Sequence, residues 1–190
     1  MGGGVGRCVV FVDGEYLRKI FSKRNLRVDV PAAVRSLLQA AGVPNSSLLR
    51  VYYYTSPPHQ SSSPTDDEKQ RYKSFQRFVH FLENQESFEV RLGRLEKRGA
   101  SYNQKMVDVL MSIDLVELSA KETIDTAIVV AGDSDFVPAI QKAKNNGTKV
   151  ILACSSDIDE YHLELWKVAD MRIRIDESMM MRCSSGSLGP

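Results

Sequence analysis

The sequence predicts an α/β domain, doubly wound around a mostly parallel central sheet. Two observations carry that expectation. Apolar runs such as "CVVFV", "TAIVVAG" and "KVILAC" are continuous and rich in β-branched residues, as in strands buried on both faces, not alternating as in half-exposed ones. Between them lie segments whose apolar residues recur at helical spacing, and regular alternation of strand with helix argues a parallel sheet covered on both sides. At 190 residues, 43% hydrophobic and 26% charged, the chain suffices for one such domain with a core of its own.

Taken in order, a glycine-rich start over 1–6 precedes the first strand, "CVVFV", which ends at Asp13-Gly14. "EYLRKIF" has helical spacing, and "DVPAAVRSLLQAAGV" reads as a second helix with Asp29 at its cap, Pro31 in its first turn and Gly42 closing it. "SLLRVYYYTS" is the second strand. The irregular "SPPHQSSSPTDD" then reads as a surface loop, and Tyr72, Phe75, Phe78, Val79 and Leu82 mark the amphipathic helix after it. "FEVRLG" is the third strand, "KMVDVLMSIDLVELSAK" a helix and "TAIVVAG" the fourth strand. A helix through "DFVPAIQKAKNNG", closed by Gly147, leads to the fifth strand "KVILAC", the helix "DEYHLELWKVA" and a sixth strand "MRIRI". The expected domain is 7–177; "SMMMRCSSGSLGP", 178–190, shows no period and reads as a loose tail.

The formal net charge of +1 excludes a strong overall basic field, so affinity for nucleic acid must come from local clustering. Cys8, Cys154 and Cys183 show neither CxxC nor Cys/His spacing and read as reduced thiols. No run approaches the length of a membrane span, and the expected location is the cytoplasm.

Carboxylates gather where ligands bind in such folds, outside the C-terminal ends of the strands. Asp13 directly follows the first strand and Asp133 directly follows the fourth, so a parallel sheet brings both to one edge. Asp135 lies in the turn after Asp133, where Gly132 lets backbone pass close to a ligand and Ser134 begins a helix. Taken alone, "GDSDF" reads as a helix cap, with Asp135 complementing the dipole. Asp13 on a separate strand argues for more, because clustered carboxylates repel one another and a hard divalent cation relieves that repulsion. On the helix "QKMVDVLMSIDLVELS", Lys105, Asp108 and Ser112 share a polar stripe, and Asp108 becomes the fourth acid. Asp114 stands in the apolar stripe of Val107, Met111 and Leu118, so it and Ser134 are candidates to support the ligands from behind. Carboxylates without His or Cys suit Mg²⁺ or Mn²⁺, and such a site can activate water for hydrolysis of a phosphodiester.

Together "VVFVDGEYL", "QKMVDVLMSIDLVELSA" and "DTAIVVAGDSDFVPAIQKAKNNGTKVIL" resemble the NYN domain, the LabA-like branch of the PIN-like nuclease superfamily, over most of 7–175. The resemblance implies a PIN-like α/β/α sandwich and metal-dependent RNA cleavage. It carries the family's acidic site onto Asp13, Asp108, Asp133 and Asp135 as metal ligands and catalytic residues. Three positions depart from the family's usual motifs: Tyr16 stands where Asn is usual, Met106 where Gly is usual, and Ala131 where Ser is more frequent.

The segment 90–105 holds Arg91, Arg94, Lys97, Arg98 and Lys105 and reads as a basic loop able to neutralise RNA phosphates. Arg18, Lys19, Lys23, Arg24 and Arg27 read as a solvated face, and His59, His80 and His162 show no spacing for ligation or proton relay. The leading expectation is a metal-dependent endoribonuclease acting on RNA. The alternative is a catalytically weak domain that binds RNA or a protein partner, with a homodimer left open. A phosphatase of the haloacid dehalogenase type is disfavoured, because Asp13-Gly14-Glu15 lacks the second Asp two residues on.

Overall fold

A computed structural model describes residues 6–98 and 101–187, excepting the side chains of 94–105 and of 187. Its strands and helices follow the chain as β1 (Cys8–Asp13), α1 (Gly14–Ser22), β2 (Leu26–Val28), α2 (Val30–Ala41), β3 (Leu48–Thr55), α3 (Asp66–Glu83), β4 (Phe88–Leu92), β5 (Arg94–Arg98) and β6 (Ser101–Lys105). They continue as α4 (Val107–Ala120), β7 (Thr126–Val130), α5 (Val137–Asn145), β8 (Lys149–Ser155), α6 (Leu163–Val168), β9 (Met171–Ile175), α7 (Glu177–Arg182) and β10 (Ser184–Ser187).

Six strands form the central sheet in the order β4-β3-β1-β7-β8-β9, and every pairing within it is parallel. Helices cover both sides, giving the α/β sandwich that the strand composition predicts. Continuous apolar strands make sense in this setting: Val10, Phe11, Ile128, Val130, Ile151 and Leu152 are all buried, with no solvent face to alternate against. The chain first builds outward from β1 through β3 to β4, then returns to β7 on the other side of β1 and builds the opposite way. The order therefore reverses between β1 and β7, which places a crevice at their C-terminal ends.

Local signals set the helix boundaries. Asp29 accepts the N–H of Ala32 to cap α2, Gly42 ends it with φ at 67°, and Thr65 with Glu68 forms a capping box on α3. The helix α3 is less covered than its spacing suggests: Leu82 is its buried residue, while Phe75 and Phe78 are partly covered and Phe81 is 50% exposed. Among the described residues no helix is long and apolar enough to cross a membrane.

Three features differ from expectation. Residues 178–187, expected as part of a loose tail, continue α7 from Glu177 and form β10, which pairs antiparallel with β2; Met180 and Cys183 are buried. The segment expected as a basic loop pairs as an antiparallel hairpin, β5 with β6. Lys105 ends β6 and does not belong to α4, because Met106 adopts a left-handed conformation with φ at 77° and breaks the chain direction before the helix.

Candidate active site

The crevice at the reversal point is built from three chain segments. β1 ends in Asp13, whose Oδ1 accepts the N–H groups of Glu15 at 3.0 Å and Tyr16 at 3.1 Å and so caps α1. After β7 the chain passes Gly132 into Asp133, whose Oδ1 accepts the N–H of Asp135 at 3.1 Å and caps a short 3₁₀ turn, Ser134–Phe136. Asp108 enters from the first turn of α4. Asp13, Asp108 and Asp133 line one cleft of about 510 Å³. Asp135 is exposed just outside its lining.

Electrostatics join the four carboxylates. Burial, reinforced by the charge of Asp108, pushes Asp13 from its ordinary 3.8 up to about 6 against the lowering effect of its two backbone N–H partners. Asp108 is also raised, first by partial burial and then by the charges of Asp133 and Asp135. Repulsion of this kind is what a cation relieves. The donor chemistry fits a hard divalent ion, since carboxylates dominate the cleft and no cysteine lines it. Among the described residues, no three acidic, histidine or cysteine side chains yet converge closely enough to hold an ion.

The other expected site residues are distributed differently. Asp114 does not line the cleft: its Oδ2 accepts the Tyr54 hydroxyl at 2.7 Å and lies 3.8 Å from Arg91 Nε, making a strut between α4 and the strands β3 and β4. Arg91 is further engaged by Glu89 at 3.0 Å and by the Tyr52 ring, 5.0 Å from its guanidinium carbon. Ser134 is half-buried in the turn between Asp133 and Asp135. The side chains of Arg94, Lys97, Arg98 and Lys105 lie outside the described ones.

Tyr16 is 9% exposed, and its hydroxyl accepts the N–H of Ser155 at 2.9 Å, tying α1 to the end of β8. Its ring also explains Gly132, expected above to make room for a ligand. A β-carbon there would lie 2.2 Å from Tyr16 Cε2 and 2.7 Å from the Glu160 carbonyl oxygen.

Sequence reasoning missed much of the remaining cleft wall, including Lys19 from α1, Lys23 at its C-cap, and Glu160 and His162 from the segment after β8. The Glu160 side chain is 2% exposed. Its carboxylate stays below the usual range despite burial, because the Ser155 hydroxyl, Arg24 and Lys23 all donate to it. Helical spacing on α1 was a signal available for the lysines; nothing local announces Glu160 or His162.

An all-parallel α/β sandwich with carboxylates at its reversal point is the architecture of the PIN-like nuclease superfamily. The chain belongs to the NYN domain family, whose sequence model matches residues 7–175. An uncharacterised protein of Methanocaldococcus jannaschii is 40% identical over 75 residues, which is 40% of this chain and 30% of that relative. The matched stretch thus spans under a third of the relative's length. Among solved structures, a UDP-glucosyltransferase from Polygonum tinctorium aligns with 81% of this chain and 30% of its own at 12% identity, but its TM-score of 0.35 is too low to carry any argument.

Proposed function

We propose that this domain is a metal-dependent endoribonuclease of the LabA-like branch, hydrolysing RNA phosphodiester bonds in the cleft between β1 and β7. The observation that supports the reading best is the gathering of carboxylates from three separate segments on one cleft, where burial and then the charge of Asp108 raise Asp13 to about 6. Asp13, Asp108 and Asp133, with Asp135 beside them, would hold Mg²⁺ or Mn²⁺. Such an ion would supply an activated water and offset the negative charge that develops on the phosphoryl oxygens. Two backbone N–H bonds fix one oxygen of Asp13, so its carboxylate is oriented before any ligand arrives. Asp133 is held in the same way by the N–H of Asp135. Ile20 and Val107 make part of the cleft wall apolar.

The test is incubation of the purified protein with single-stranded and structured RNA in Mn²⁺, Mg²⁺ or EDTA. Shortened products with either metal, none with EDTA and none from Asp133→Asn are expected. Wild-type protein that leaves every RNA intact with both metals would transfer the reading to an RNA- or protein-binding module.

A further inference from the structure

The helix α1 and its C-cap residue Lys23 turn one continuous stripe to the cleft. Tyr16, Lys19, Ile20 and Lys23 recur at three- and four-residue spacing, and all four line it. Tyr16 and Ile20 are buried, while Lys19 is exposed and the Lys23 side chain is 49% exposed. Two ammonium groups therefore stand about one helical turn apart on a cleft that also holds Asp13, Asp108 and Asp133.

The two lysines are held differently. Lys23 Nζ lies 3.1 Å from Glu160 Oε1, and the other oxygen of that carboxylate meets Arg24 Nη1 at 3.0 Å and the Ser155 hydroxyl. A nearly buried carboxylate with three donors is a rigid post, so Lys23 has a defined position while keeping access to solvent. Lys19 forms no ion pair among the described residues, although acidic side chains crowd the same cleft. Among the described residues no carboxylate neutralises its charge, whereas Arg91, one of the basic residues expected to contact RNA, is engaged by Glu89, Asp114 and Tyr52.

A strand of RNA entering an acid-lined cleft meets repulsion at every phosphate, and bound metal offsets it only locally. Cations along the adjoining wall offset it for the neighbouring linkages, which is how phosphate contacts fix register without reading sequence. Resting on the ribonuclease reading, we propose that Lys19 and Lys23 form a phosphate subsite that holds the linkage next to the one presented to the carboxylates. Lys23 sets the position of the strand and Lys19 adds a mobile contact.

Binding without metal isolates this subsite from cleavage. Fluorescence anisotropy of a fluorescein-labelled oligouridylate is measured in EDTA over a salt series, for wild type, Lys19→Gln, Lys23→Gln and the double variant. Each single variant is expected to bind severalfold more weakly and the double about tenfold, with a log–log salt slope shallower by roughly 0.7, the value for the one single-strand phosphate that the pair holds. Lys19→Gln should leave the melting temperature unchanged, since no ion pair is lost, and Lys23→Gln leaves Arg24 and Ser155 on Glu160. Unaltered affinity and slope in the double variant overturn the subsite; if wild type then still cuts RNA with Mn²⁺, the ribonuclease reading survives alone. A wild-type protein that neither binds the oligouridylate nor cuts RNA overturns both.

Discussion

The ring of Tyr16 lies flush against Gly132, so that α1 and the turn after β7 meet with no room for a single methyl group. Tyr16 stands where the family motif usually has Asn. From α1 its ring packs against the turn after β7, and its hydroxyl accepts the N–H of Ser155. Gly132→Ala should therefore destabilise the fold by about 1–3 kcal/mol through overpacking. Removing the ring should recover part of that loss, since Tyr16→Asn takes away the nearest obstacle and leaves the Glu160 carbonyl oxygen at 2.7 Å. Urea denaturation of the two single variants and the double measures the coupling; strictly additive losses would show that ring and glycine do not meet.

Stability should depend on pH through Asp13. The folded chain holds this proton up to about pH 6, whereas at the ordinary 3.8 the unfolded chain has already released it. Between those values the folded state binds more protons, so the contribution is fully present below about pH 4 and is lost as pH rises through 6. Asp108 is raised as well and tilts the same way. Glu160 and Asp170, held below the usual range, tilt oppositely at lower pH. The informative quantity is thus the difference between wild type and Asp13→Asn, in EDTA, by thermal melting. Asp13→Asn should gain on wild type by about 2 kcal/mol from pH 4 to pH 7; parallel curves would mean that the carboxyl is not held protonated.

Asp114 and Asp108 lie six positions apart on α4 and should separate by readout. Asp114→Asn weakens the bond from the Tyr54 hydroxyl, 2.7 Å long, and the pairing with Arg91. We expect a loss of about 1 kcal/mol in stability with RNA cleavage largely retained. Asp108→Asn should abolish cleavage and leave stability equal or higher, because it removes a repelled charge. The reverse pattern in paired melting and cleavage assays would return Asp114 to the site.

Met106 carries backbone strain that its side chain does not repay. Its φ is 77° and its side chain is 46% exposed at the start of α4. Met106→Gly relieves the left-handed conformation at the cost of a more flexible unfolded chain, and a net gain of about 0.5–1 kcal/mol is expected. A lower urea midpoint would show that the exposed thioether packs usefully after all.

Much of this architecture was legible in the chain itself. Continuous apolar strands separated by helical segments determine a parallel sheet, and parallel strands share one polarity, so carboxylates following β1 and β7 had to meet at one edge. The cap Asp29 was equally readable, because its partner, the N–H of Ala32, lies three residues on. The tertiary structure alone decided contacts between distant segments. Tyr16 meets Ser155 across 139 positions and Arg24 meets Glu160 across 136, and no local pattern encodes which helix face will confront which loop. Residues 178–187 looked aperiodic for a related reason: their order comes from β2 and α2, which cover them, and not from any period of their own. The same distinction divides the lysines of α1 from Arg91. Charge and spacing name candidates for an anion, but only the arrangement of neighbouring carboxylates determines which cations are already neutralised and which remain for a ligand.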